Sequence, residues 1–209
     1  MQSVKAKSLK SLCDYSTIAF MVRRTNQNMA KNSDLLSTIS DKQRIEILRK
    51  NWMSHEARWQ MAAFEAVGWE KGNALNQTII REMGKVMMHR LMNALGNPEV
   101  KNVEDLDAVC SAAMDLYYPP PTFVYHFERL SDKSLLGVIE KCAILENVKK
   151  AGVTDLYECG CLAMRSGWYE ALGMEAEEQL GKCLKKGDKT CEIVLKVNKW
   201  RKDNPPTQI

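Results

Sequence analysis

Long apolar runs are missing from this chain. No segment approaches the roughly 18 consecutive apolar residues that a membrane-spanning helix needs, so the sequence predicts no membrane span. Residues 18–22 are the only short apolar run near the N-terminus, and no small-residue cleavage site follows them. We therefore expect no secretory signal peptide and a cytoplasmic location.

A strong excess of one charge is also missing. The chain has 30 basic and 26 acidic residues, a net charge of +4, and the two signs are interspersed. Nucleic-acid-binding proteins usually concentrate basic residues in a stripe. The nearest equivalent is the set of five basic residues among the first thirty, which we interpret as a solvated tail. The sequence thus predicts no nucleic-acid partner.

The cysteines do not indicate a disulfide framework. They number seven, an odd count, and 209 residues suffice to build a core without covalent cross-links. Reduced thiols are the simpler interpretation. Glycine-rich phosphate loops and the Gly-x-Ser-x-Gly turn of serine hydrolases are absent as well, so neither motif assigns a function.

Helical periodicity dominates residues 41–118, which follow an N-terminal arm at residues 1–40. Asp41 is expected to cap a helix whose apolar residues fall on one stripe, and Gly68 is expected to end it. A second helix begins at Trp69, and a third covers roughly 103–116. The glycine, asparagine and proline at residues 96–98 are expected to end the second helix.

Gly84 lies in the middle of the second predicted helix. A glycine there costs about 1 kcal/mol relative to alanine. We therefore expect another element of the protein to pack closely against that position.

The pattern changes after the three prolines at residues 119–121, which forbid a helix. Alternating residues predict strands at 122–130 and 135–143, followed by a helix that ends at Gly152. Thr154 is expected to cap a further helix that runs to Leu172. Two more strands, at 176–186 and 190–198, are joined by a Gly-Asp turn. A polar tail, 200–209, completes the chain.

These elements predict an α+β fold. Its helical N-terminal half packs on an antiparallel β-sheet that carries helices in the C-terminal half, with residues 119–199 forming a ligand-binding region.

His55 is the first candidate site residue, because it falls on the apolar stripe of its helix between Trp52 and Trp59. Burial there favours a neutral imidazole, which acts as a base, as a ligand or as a hydrogen-bond partner in the core. Asn73 and Asn76 are amides on the inward face of the second helix, and they either satisfy buried groups or contact a polar ligand. Trp168 adds an aromatic surface to the same predicted pocket.

The C-terminal half concentrates thiols. Cys159 and Cys161 point in different directions on a regular helix, whereas Cys183 and Cys191 flank the predicted hairpin and can meet across it. A metal site formed by His126, Cys161, Cys183 and Cys191 would suit zinc, and small buried thiols are the alternative. Cys183, Cys191, Asp188 and His55 are also the candidates for a nucleophile and its base.

Several of these residues form a longer pattern. The segment Tyr157-Glu-Cys-Gly-Cys161, then Gly167-Trp168, then Cys183 through the Gly-Asp turn to Cys191, resembles the C-terminal signature of the L-2-amino-thiazoline-4-carboxylic acid hydrolase family. More distantly it is similar to the ligand-binding domain named after the bacteriochlorophyll 4-vinyl reductase. The stretch around Trp52, His55 and Trp59 resembles proteins of anaerobic bacteria and archaea that share this half. The similarity covers about residues 45–196.

The resemblance implies an α+β fold and small-molecule binding, and in one branch hydrolysis of a cyclic C–N bond. The main hypothesis is therefore a cytoplasmic small-molecule-binding protein of unknown ligand, acting as a sensor or accessory protein. A hydrolase of a small cyclic amidine or amide is the second hypothesis. A structural homodimer is the third, which exposed apolar faces would favour.

Overall fold

The computed structural model describes residues 33–200, which fall into two compact units that meet in sequence between Ser54 and His55. The first unit contains helix α1 (Ser33–Ser37) and the beginning of helix α2 (Asp41–Val67). The N-cap of α2 is Ser40 and not Asp41. The Gln43 backbone N–H donates to Ser40 Oγ at 3.3 Å, and the Ser40 N–H donates to Gln43 Oε1 at 2.8 Å, which makes a capping box.

The residues predicted to form an apolar stripe on α2 do lie in a helix, but most of them are exposed and not buried as predicted. Ile45, Leu48 and Trp59 are exposed, and so is His55. Phe64 is the buried residue of this helix, and its ring stacks on Trp69 with a centroid distance of 4.3 Å. Helical periodicity shows which residues share a face, but it does not show that anything covers that face.

The next two helices begin where the sequence predicts. Helix α3 (Trp69–Ala94) follows Gly68, whose positive φ of 81° breaks the preceding helix at a backbone conformation that glycine adopts freely. Helix α4 (Val103–Tyr117) begins at Asn102, whose side chain accepts a hydrogen bond from the Asp105 N–H. Within residues 33–200, no helix is long and apolar enough to cross a bilayer.

Four antiparallel strands form one sheet in the order β1-β2-β4-β3. Their bounds are β1 (Phe123–Ser131), β2 (Ser134–Cys142), β3 (Glu175–Lys182) and β4 (Cys191–Lys199). Helices α4 and α6 (Cys161–Leu172) pack on one face of this sheet, and α5 (Ala143–Lys150) connects β2 to the loop before α6. The predicted α+β class is therefore confirmed.

Two predicted boundaries in this half are wrong. The helix expected to start after Thr154 begins at Cys161, because residues 153–160 form turns and a loop. The two last strands are not joined by a tight Gly-Asp turn. Strand β3 ends at Lys182, and a 3₁₀ turn at Leu184–Lys186 precedes Gly187, whose φ is 96°.

Helices α3 and α6 pack with their backbones in direct contact. A Cβ built on Gly84 would lie 2.2 Å from the Met164 carbonyl oxygen, and one on Gly167 would lie 2.1 Å from the Arg81 carbonyl oxygen. The close packing expected at Gly84 is therefore confirmed. The core lies beside this contact, between α3, α4, α6 and the sheet, around the fully buried Trp168, Met88 and Leu106.

Candidate functional site

A cleft opens between α4, α6 and the inner face of the sheet. The enclosed cavity is small, about 30 Å³, which is room for a water-sized group. Most of the wall is apolar, with Leu135 and Ile139 of β2 and Ile193 and Leu195 of β4 on the sheet side. The polar groups in the wall come from Cys110, Arg165, Tyr169 and Glu178. An apolar cleft with a few convergent polar groups is typical of a small-molecule site.

Arg165 and Glu178 form a buried ion pair in this wall. Arg165 Nε donates to Glu178 Oε1 at 2.5 Å, and the two side chains are 10% and 9% exposed. The Tyr169 hydroxyl donates to the same oxygen at 2.8 Å. Burial and then the nearby Glu178 carboxylate raise the pKa of Tyr169, so its proton stays in place as a donor.

One atom of this network has no partner in the described part of the chain. Arg165 Nη2 is buried and makes no hydrogen bond to any of residues 33–200. A buried N–H of a charged group that bonds to nothing costs on the order of 1–3 kcal/mol or more. Glu178 engages Nε, so Nη2 is a buried donor of the guanidinium whose hydrogen-bonding capacity the described residues leave unused.

Cys110 lies on α4 at the same cleft and is almost fully buried. Burial raises the pKa of its thiol to about 12. Cys110 is therefore a neutral, poorly nucleophilic group at physiological pH.

Cys161 has the opposite character. It is the first residue of α6, and its Sγ lies 3.3 Å from the Sγ of Cys159. The hydrogen bond from the Cys159 thiol, followed by the attraction of Arg165, lowers the pKa of Cys161 to about 6 despite partial burial. The N-terminal end of a helix also favours a thiolate. The thiolate is therefore favoured at Cys161, and the shared proton at Cys159.

Hydrogen bonds from other elements hold the loop that carries Cys159. The Glu158 N–H donates to Asn73 Oδ1 at 3.0 Å, and Asn73 Nδ2 donates to the Leu156 carbonyl at 2.8 Å. Lys185 Nζ donates to the Tyr157 carbonyl at 2.6 Å. Of the two uses foreseen for Asn73, the structure shows the first, satisfaction of buried backbone groups.

Cys183, Asp188 and Cys191 lie together in the β3–β4 connection. Asp188 Oδ2 accepts from the Cys183 N–H at 2.7 Å, and Cys191 Sγ accepts from the Leu184 N–H at 3.2 Å. Both side chains thus stabilise the turn. Burial raises the pKa of Cys191 to about 11, and Cys161 is among the thiols close enough to influence it.

The remaining predicted site residues lie away from the cleft wall. His55 and Trp59 are exposed, Trp52 and Asn76 are partly buried, and Trp168 is fully buried in the core. None of these five lines the cleft. His126 is exposed on β1 between two carboxylates, with Nδ1 3.1 Å from Glu140 and Nε2 3.1 Å from Glu128.

The predicted metal ligands do not converge in the described part of the chain. Within residues 33–200, no group of three or more histidine, cysteine, aspartate or glutamate side chains is arranged to hold a metal ion. His126 bonds to glutamates on the sheet, whereas the thiols of Cys183 and Cys191 lie at the β3–β4 connection.

Arg165, Glu178 and Cys110 are the residues of the cleft wall that sequence reasoning missed. One signal was present. Glu178 occupies an inward position of β3 between Ala176 and Leu180, where the alternation calls for an apolar residue. A charge at such a position needs a partner, and Arg165 lies at a buried position of α6.

The fold and site define a class: an antiparallel four-stranded sheet covered by helices, with an apolar cleft and an adjoining thiolate. The chain belongs to the L-2-amino-thiazoline-4-carboxylic acid hydrolase family, whose sequence profile matches residues 49–195. No curated protein sequence matches the chain significantly.

One similar solved structure is that of a trafficking protein particle complex subunit 3 from Naegleria fowleri, covalently bound to palmitic acid. The two chains are 15% identical. The match has a TM-score of 0.50 and covers 78% of this chain and 100% of the other. At this identity the similarity concerns the fold alone.

Proposed function

We propose that this protein binds a small carboxylate-bearing molecule in the cleft, with Arg165 Nη2 donating to the carboxylate. The observation that carries the proposal is the buried Arg165 Nη2, which has no hydrogen-bond partner among residues 33–200 and belongs to a residue of the cleft wall. A ligand oxygen at that point would supply the missing hydrogen bond. Such bonds to charged groups contribute about 1.5–3 kcal/mol.

The rest of the site supports a compact ligand. Glu178 holds the guanidinium through Nε, and Tyr169 donates to Glu178, so the arginine is fixed before a ligand arrives. The apolar residues of β2 and β4 suit a small ring. The molecule in the family's name, L-2-amino-thiazoline-4-carboxylate, combines a carboxylate with a five-membered ring.

Isothermal titration calorimetry tests this proposal with L-2-amino-thiazoline-4-carboxylate and with 2-amino-thiazoline, which lacks the carboxylate. We expect the native protein to bind the acid and to bind the carboxylate-free ring at least about tenfold more weakly. Arg165→Lys keeps a cation beside Glu178 but removes the planar guanidinium, whose N–H groups bind a carboxylate in a fixed geometry. This variant should bind the acid about 10- to 100-fold more weakly.

A second variant covers the case in which Arg165→Lys folds poorly. Ile139 is half-buried in the cleft wall, so Ile139→Phe should fill the cleft and abolish binding while leaving the ion pair intact. The exposed Ile79 provides the matched control, Ile79→Phe. Equal affinity for both probes, or preferential binding of palmitate by the native protein, would contradict the proposal.

Hydrolysis is the second candidate function, because Cys161 is a thiolate beside Arg165 in a protein of a hydrolase family. In this scheme Cys161 Sγ attacks the amidine carbon of a small cyclic substrate. The ring C–N bond breaks, its nitrogen takes a proton from water, and a second water releases the product from the sulfur. Asp188, a candidate base from the sequence, is engaged in the β3–β4 turn.

If Cys161 is the nucleophile, Cys161→Ser should reduce turnover of the thiazoline at least about 100-fold. The double variant Cys183→Ser, Cys191→Ser is the control and should retain activity. Turnover of the native protein should fall as the pH drops through about 6, because the Cys161 thiolate is then protonated. Unchanged turnover in Cys161→Ser would exclude this role.

A cytoplasmic location and a homodimer stay predictions.

A further inference from the structure

Cys159 and Cys161 are two thiols in direct contact, and the proposed carboxylate binding uses neither of them. Their sulfur atoms are 3.3 Å apart, with Cys159 in the loop before α6 and exposed, and Cys161 at the first position of the helix. Gly160 between them is packed so tightly that a Cβ would lie 2.4 Å from Ile80 Cδ1. The helix end is therefore held, whereas the exposed Cys159 side chain is accessible from solvent.

We propose that Cys159 and Cys161 form a dithiol that reduces low-molecular-weight disulfides, with Cys161 as the attacking thiol and Cys159 as the resolving thiol. This activity goes beyond the proposed ligand binding.

The reaction takes two steps. The Cys161 thiolate attacks one sulfur of a disulfide RSSR, the S–S bond breaks, and one RS⁻ leaves and takes a proton from water. Cys159 then loses its proton to water and attacks Cys161 Sγ, which expels the second RS⁻, and this thiolate also takes a proton from water. The net result is a Cys159–Cys161 disulfide and two molecules of RSH, with two electrons transferred to the small disulfide.

The surroundings assign the two roles. Cys161 has a helix N-terminus, Arg165 and a hydrogen bond from Cys159 to stabilise its thiolate, so it attacks first. Cys159 is in contact with it, and the two sulfurs must close by about 1.2 Å to reach a disulfide bond length of about 2.05 Å.

The neighbouring thiols are poorer resolving groups. Cys142 and Cys191 are close enough to influence the pKa values of the other thiols here. Cys159, however, is the thiol whose sulfur lies in hydrogen-bonding contact with Cys161 Sγ. Cys191 is in addition engaged with the Leu184 N–H.

The positions of lysine and arginine allow mass spectrometry of tryptic peptides to test this inference. Trypsin releases residues 151–165 as one peptide, which contains Cys159 and Cys161 and no other cysteine. Cys142, Cys183 and Cys191 fall in three separate peptides, 142–149, 183–185 and 190–196. The native protein is reduced, treated with oxidised glutathione at pH 7, quenched with an alkylating reagent and digested.

We expect peptide 151–165 to lose two hydrogen atoms and to resist alkylation. In Cys159→Ser the same peptide should accumulate one glutathione on Cys161, because the resolving thiol is gone. In Cys161→Ser the reaction at this peptide should slow at least about tenfold, and Cys142→Ser should behave like the native protein. This experiment contains no cleft ligand, so failure of the binding proposal would leave its result intact.

The pH dependence adds a second readout. The initial rate with glutathione disulfide should be half-maximal near pH 6, whereas an ordinary thiol reaches that point near about 8.5. Two findings would overturn the inference: a disulfide linking peptide 151–165 to peptide 142–149 or 190–196, or first modification of Cys183 or Cys191 in the native protein.

Discussion

Gly167→Ala is expected to lower the free energy of unfolding by about 2 kcal/mol, the largest effect we foresee for a single added methyl group. The new Cβ would meet the Arg81 carbonyl oxygen at 2.1 Å and the Lys85 nitrogen at 2.9 Å. These are main-chain atoms of α3, so they cannot move aside as a flexible side chain can. Overpacking of this kind usually costs about 1–3 kcal/mol, and here it outweighs the roughly 1 kcal/mol that alanine gains in a helix.

Urea unfolding of the native protein and two variants measures this. Gly181→Ala is the matched control, because a Cβ there meets its nearest neighbour, the Glu192 carbonyl oxygen, at an ordinary 3.5 Å. It should change stability by less than about 1 kcal/mol. If Gly167→Ala were as stable as the native protein, the direct backbone contact between α3 and α6 would be wrong.

Arg165→Met is expected to cost about 3–5 kcal/mol, because it leaves the buried Glu178 carboxylate without its charged partner. The double variant Arg165→Met, Glu178→Met removes both charges and should recover most of that loss. Replacing a buried ion pair with apolar side chains of similar size is often neutral or stabilising.

An exposed pair provides the control for this cycle. Lys199 and Glu175 are joined at 2.8 Å with side chains 56% and 66% exposed, so Lys199→Met should cost less than about 1 kcal/mol. Equal losses for Arg165→Met and Lys199→Met in chemical denaturation would show that the Arg165–Glu178 pair is solvated.

The sequence predicted the order of elements because local signals set most of their ends. Gly68 separates the first two long helices, residues 96–98 end the second, and the alternation of 122–143 predicts the β1–β2 hairpin. The predicted start of α6 was wrong because contacts with residues distant in the chain determine the conformation of the loop before it. Asn73 binds the loop before it, and Gly160 packs on Ile80, and both partners lie about 80 residues away in the chain.

The candidate site was predicted less well than the fold. Family resemblance directed attention to the cysteines, but not to the contact between Cys159 and Cys161, because a regular helix would have pointed them apart. The loop conformation at Cys159 brings the two sulfurs together. The role of Arg165 could not be predicted from the sequence either. Its partner Glu178 lies on strand β3, and the order of residues does not show how β3 packs against α6.

A crystal structure of the protein with L-2-amino-thiazoline-4-carboxylate tests the central claim most directly. We predict a carboxylate oxygen within hydrogen-bonding distance of Arg165 Nη2, the ring between α4, α6 and the strands β2 and β4, and an unchanged Arg165–Glu178 pair. A ligand bound elsewhere, or an Nη2 bonded to a protein acceptor across a closed cleft, would contradict the account.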